Sequence, residues 1–111
     1  MATVEQCRQA LADVAARMAA DPDAAARVNL DRSVACEIRD LGVTFKGRLR
    51  DGSIVDLIQG EDPKAQIRLS LNSDDLLALV GGSLHFASAW ATGRLSVKAS
   101  FGDLLKLRKL L

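Results

Sequence analysis

Apolar positions along this chain recur at two spacings, and the places where the spacing changes mark its elements. From Thr3 the period is helical: Val4, Cys7, Leu11, Val14 and Met18 form a stripe, with Glu5, Gln9, Asp13 and Arg17 on the other side. That pattern predicts an amphipathic helix lying as a half-buried lid, with Thr3 and Gln6 spaced to cap its start reciprocally. Asp21 and Pro22 then supply a cap and a first-turn proline for a short Ala-rich helix ending near Val28.

From Ser33 the period becomes two. Val34, Cys36 and Ile38 alternate with Ala35, Glu37 and Arg39, and after a turn Val43, Phe45, Gly47 and Leu49 alternate with Thr44, Lys46, Arg48 and Arg50. Asp51-Gly52 is a two-residue hairpin signal, because both central positions of such a turn require positive φ. That register places Leu49 opposite Ile54. The following strand, 53–58, is apolar on both faces, with Ile54 and Ile58 on one and Val55 and Leu57 on the other, so it is predicted to be central.

The stretch 66–111 holds the clearest sequence of elements. Ile67, Leu69 and Leu71 alternate as a strand; Asn72 is placed to cap a helix carrying Asp74 and Asp75 in its first turn, and Gly81-Gly82 stops it. Leu84 to Ala91 resumes as a short helix with Phe86 and Trp90 at i, i+4. Gly93 releases the chain into a strand from Arg94 to Ala99, and Leu104, Leu107 and Leu111 recur at helical spacing in a closing helix. Strands flanked by amphipathic helices argue a two-layer α+β domain over residues 1–111: a five-stranded, mostly antiparallel sheet with helices on one face. The other face is expected to be wet. It collects Lys46, Arg48, Arg50, Arg68, Arg94 and Lys98 without aromatic residues, which reads as a solvated face rather than a single-strand nucleic-acid platform.

Composition narrows the function. In 111 residues, 49% hydrophobic content suffices for a core, and 15 Lys+Arg against 14 Asp+Glu leaves a net charge of +1, which does not favour nucleic acid as partner. The two cysteines lie on otherwise apolar faces without CxxC spacing, so they are expected to be reduced, buried thiols, which fits a cytoplasmic protein and no metal site. Neither a signal peptide nor a membrane-length apolar run occurs.

The run Asn72, Asp75-Leu76-Leu77-Ala78-Leu79, Gly82, Leu84, Ala89, Gly93-Arg94-Leu95, Val97-Lys98, followed by the Leu-Leu-Lys-Leu of the closing helix, resembles the sterol carrier protein type 2 family. Two positions depart from the family pattern. Phe86 stands where a proline usually opens the small helix, and Ala99-Ser100 where a glycine with Asp or Asn usually follows the last strand. The resemblance implies a five-stranded sheet covered by helices, with an apolar tunnel between the layers that takes sterols, fatty acids, fatty acyl-CoA esters or phospholipids. Given that resemblance, the candidates for the tunnel wall are Phe45, Leu76, Leu79, Val80, Phe86, Trp90, Phe101, Leu104, Leu105 and Leu107. Lys106, Arg108 and Lys109, beside the leucines of the closing helix, are candidates for contact with an anionic membrane.

Enzyme chemistry has no foothold in the sequence. The one histidine, His85, stands alone, and no nucleophile elbow, P-loop, zinc-protease motif or dinucleotide fingerprint occurs. The reading is therefore a cofactor-free, non-enzymatic lipid-binding or lipid-transfer protein whose partner is a hydrophobic small molecule: a sterol, a fatty acid, an acyl-CoA or an isoprenoid. The alternative is an accessory domain of the same fold that binds a partner protein or a lipid-metabolising enzyme.

Overall fold

A computed structural model describes residues 1–21, 23 and 30–108, the side chains of residues 107 and 108 excepted. The elements run α1 (Val4–Ala20), β1 (Arg32–Ile38), β2 (Val43–Arg50), β3 (Ser53–Gln59), β4 (Ile67–Leu71), α2 (Ser73–Gly81), α3 (Phe86–Ala91), β5 (Ser96–Lys98) and α4 (Phe101–Arg108). The short Ala-rich helix expected between Asp21 and Val28 lies outside the described residues. The last strand, expected from Arg94, is shorter, and α3 starts at Phe86 rather than Leu84.

The strands form one sheet in the order β3-β2-β1-β4-β5. Pairings β1–β2, β2–β3 and β4–β5 are antiparallel and β1–β4 is parallel, so the sheet is mixed and mostly antiparallel, as expected. The hairpin forms as its residues dictate: Asp51 and Gly52 both have positive φ, at 53° and 77°, and Leu49 faces Ile54.

Strand β3 departs from expectation twice. It is an edge strand, not a central one, because β4 pairs with β1 on the far side of the hairpin. It also carries a bulge: Arg48 pairs with Val55 and Lys46 with Ile58, so Gly47 alone opposes Asp56 and Leu57, with Asp56 at φ 57°. The bulge reverses the alternation. Leu57 joins Ile54 on the inner face, while Ile58 turns outward and is 56% exposed. Glycine is needed at 47 because a Cβ there would lie 3.0 Å from the Val55 carbonyl oxygen and 3.2 Å from Ile54 Cγ2. A bulged edge resists pairing with another chain, which is how an apolar strand survives at the border of a sheet.

The core gathers on the inner face. Ile38, Phe45 and Leu71 are buried there together with Cys7 and Ala10 of α1, Leu76 of α2, Ala89 of α3 and Leu95. Helix α1 begins with the capping box its sequence announces: the Gln6 amide donates to Thr3 Oγ1 at 3.1 Å, and the Thr3 amide donates to Gln6 Oε1 at 2.9 Å. Helix α2 ends on Gly82 in the left-handed region at φ 86°. Its start differs from expectation, since Asn72 occupies the cap position without a side-chain hydrogen bond.

Ser73 organises that end instead. Its amide and hydroxyl donate to the two carboxylate oxygens of Asp40 at 2.8 and 2.6 Å, and its Oγ accepts the Ala2 amide at 3.0 Å. The Ser73 hydroxyl bond is the chief cause holding the Asp40 carboxyl below its ordinary 3.8. A depressed folded pKa contributes stability above the unfolded value, lost as pH falls through 3.8 toward the folded one. Asp40→Asn is thus expected to flatten the acid limb of stability below pH 4, as read by denaturant midpoints from pH 7 to pH 3. An unchanged acid limb in the variant counts against this linkage.

Candidate functional site

Helix α1 is fastened to the rest of the fold near its C-terminal end. The Ser53 hydroxyl donates to the Ala15 carbonyl at 3.2 Å, and Arg17 Nη1 donates to the Val80 carbonyl at 2.7 Å. Its stripe meets the sheet only in part: Leu11 packs against the main core and Met18 against Val34, Leu49 and Ile67, and space remains beside them. Cys7 and Ala10, in the first half, are buried against the core, but Leu11, Val14 and Met18 are half-buried and face a cavity of about 330 Å³.

The floor of the cavity is the inner face of four strands: Val34 and Cys36 from β1, Phe45, Gly47 and Leu49 from β2, Ile54 and Leu57 from β3, and Ile67 and Leu69 from β4. Phe86 of α3 closes one side, braced by Trp90 in an edge-to-face contact with ring centroids 5.8 Å apart and planes at 80°. The space persists because its floor is shallow: Gly47 has no side chain, and Val34 and Cys36 are short. The bulge supplies the side wall, since without it Leu57 would point to the opposite face.

Among the described residues, none of those that line the cavity is charged. Met18 and Cys36 bring sulfur to the wall, and burial, aided by the neighbouring Cys7 and Glu37, pushes the Cys36 thiol up to about 12. Burial likewise raises the Cys7 thiol. Both cysteines are free and buried, as their sequence context predicts, and both stay protonated at neutral pH, when a thiol is a poor nucleophile or ligand. His85 is exposed at the start of α3 and is no part of the wall. What the described wall offers is apolar burial, at about 25 cal/mol per Å².

The residues singled out from the sequence divide among three places. Phe45 and Phe86 line the cavity. Leu76, Leu79 and Val80 pack in the core beside it, and Trp90 stands behind Phe86. Phe101 and Leu105 point outward, 77% and 46% exposed, and Leu104 is half-buried without reaching the wall; the side chain of Leu107 lies outside the described residues. The rotation of α4 has a cause. Arg32 Nε donates to Asp103 Oδ2 at 3.0 Å with Asp103 buried, and residues two before and two after a buried helical position lie about 160° away around the axis. The α1 stripe and the inward strand positions supply the rest of the wall.

The model of the SCP-2 sterol transfer family matches residues 9–111. Palmitated SCP2L2 from Aedes aegypti superposes with a TM-score of 0.66 at 19% identity, covering 98% of this chain and 93% of that one. The sec-alkylsulfatase Pisa1 from Pseudomonas sp. contains the same fold, with a TM-score of 0.63 at 24% identity over 88% of this chain. Hydroxysteroid dehydrogenase-like protein 2 of Danio rerio is 36% identical over 53 residues, 47% of this chain. The chain spans only 15% of that sulfatase and 13% of that dehydrogenase-like protein. With the family model covering most of the sequence and the mixed five-stranded sheet in place, the chain belongs to the SCP-2 sterol transfer family.

Proposed function

We propose that this protein binds and transfers lipid without chemistry, holding the apolar part of its ligand in the cavity between α1 and the sheet. The observation that carries this reading is the uncharged wall around about 330 Å³ of space. Ligand pockets run from about 300 to 1,000 Å³, so this one is at the small end and suits a single fatty acyl chain better than a fused-ring sterol. Each buried methylene contributes about 0.8 kcal/mol before association costs, and that attraction has no direction, so fatty acids and fatty acyl-CoA esters are taken alike. A polar head finds no partner in the wall and stays at the mouth. The palmitate carried by the mosquito relative supports the same ligand class.

The cell compartment fitting two reduced thiols is the cytoplasm. Among the described residues no helix is long and apolar enough to cross a membrane. Exposed Phe101, Leu105 and Lys106 on α4 fit transient contact with an anionic bilayer during exchange, with Arg108 and Lys109 following in the sequence. A second reading has one observation in its favour: the two larger relatives contain the matching segment as a small part of a longer chain, which suits an accessory domain serving an enzyme.

Native mass spectrometry of the purified protein, followed by displacement of a fluorescent fatty acid, tests the carrier reading. Co-purified lipid and saturable one-to-one displacement are expected. A chain without lipid that takes up no fatty acid, yet captures one stoichiometric protein partner, selects the accessory reading.

A further inference from the structure

The outward sheet face carries its charge unevenly. On the β2 side Arg48 and Arg50 both have a carboxylate within reach, since Asp31 pairs with each of them. On the β4–β5 side, Arg68 and Lys98 sit directly opposite one another in the antiparallel ladder. Like charges placed so are destabilising, and among the described residues no carboxylate lies within ion-pair distance of either, or of Arg39. The next outward pair is Ser70 opposite Ser96, with Glu37 beside Ser70 on β1. Two small hydroxyl residues between long cationic ones leave a concavity of about 170 Å³, rimmed by Glu37, Arg39, Arg68 and Lys98.

The rim is held in place by the backbone. Arg39 Nη2 donates to the Ser70 and Arg94 carbonyls at 3.2 and 2.9 Å, and Arg68 Nη1 donates to the Asp62 carbonyl at 2.6 Å, leaving the other guanidinium donors free. The Ser70 hydroxyl donates to Glu37 Oε1 at 3.0 Å. We propose that this concavity binds the phosphate group of a small soluble phosphate monoester. The remaining donors of the Arg68 and Arg39 guanidiniums and an ammonium suit a tetrahedral oxyanion, and the Ser96 hydroxyl adds a donor at the floor. The volume admits one such group, and the three cations of the rim outnumber the Glu37 carboxylate. Strand β4 is the partition from the lipid cavity, Leu69 belonging to both walls, so this second site is separate from the first.

The test is titration of the isotopically labelled chain with glycerol 3-phosphate at low salt, followed by amide chemical shifts. Saturable shifts at residues 68, 70, 96 and 98, with none at 48 and 50, are expected. Arg68→Gln is expected to weaken binding about tenfold. Lys98→Gln does the same while its thermal midpoint in the absence of ligand stays level or rises, because the cross-strand repulsion is gone. Absent shifts, or equal shifts at every basic residue of the face, overturn the proposal. So does binding to phosphatidylglycerol vesicles without any response to the soluble ester.

Discussion

Val14→Trp is expected to abolish fatty acid uptake while leaving the protein folded. Val14 lies midway along the α1 stripe, half-buried and facing the cavity, so an indole there grows into empty space rather than into packed core. Excluding about four methylenes of a guest removes on the order of 3 kcal/mol, about a hundredfold in Kd. Titration with a fluorescent fatty acid reads the loss, and the thermal midpoint reads the fold. Leu105→Ser, on the exposed side of α4, is the matched control and is expected to bind normally. Undiminished binding by the tryptophan variant means that the guest lies elsewhere, and the cavity beneath α1 is then not the lipid site.

Phe45→Ala is expected to give the largest loss of stability. Phe45 is 1% exposed, sits in the main core cluster and forms part of the cavity floor, so its removal joins existing space to new space. Truncating a buried phenylalanine costs about 3–5 kcal/mol, against a total of about 5–15 kcal/mol for a domain. At roughly 4 °C or more per kcal/mol, the thermal midpoint falls by about 12–20 °C. Palmitate is expected to restore part of that loss, since a ligand at a hundred times its Kd adds about 2.7 kcal/mol to the folded state. A fall of only a few degrees would show that the floor collapses around the gap.

Strong local signals were legible in the chain. The Thr3–Gln6 box, the Asp51-Gly52 turn with its register, the Gly82 stop and the burial of both cysteines each depend on residues close in sequence or on the period of one element. The family resemblance over 66–111 extended this to the whole sheet. Cavity residues were less legible. Phe45 and Phe86 lie on the wall that the sequence suggests, whereas the α1 stripe reads from sequence only as a half-buried lid and α4 reads as wall. A stripe shows which way side chains point and does not show how far away the opposite surface is.

By itself, then, the sequence determined the types of the described elements, the inward side of α1 and of each strand up to the bulge, and the hairpin register. Those follow from backbone periodicity and turn chemistry, which act over a few residues. Only the tertiary structure decided that β3 lies at the edge, that Asp56 and Leu57 together face Gly47, and that Asp103 turns Phe101 and Leu105 outward. It alone decided that a cavity remains between the stripe of α1 and the sheet. Each of these depends on contacts between residues far apart in sequence, and an empty volume belongs to no residue at all: it is the difference between where the backbones are held and how far the side chains reach.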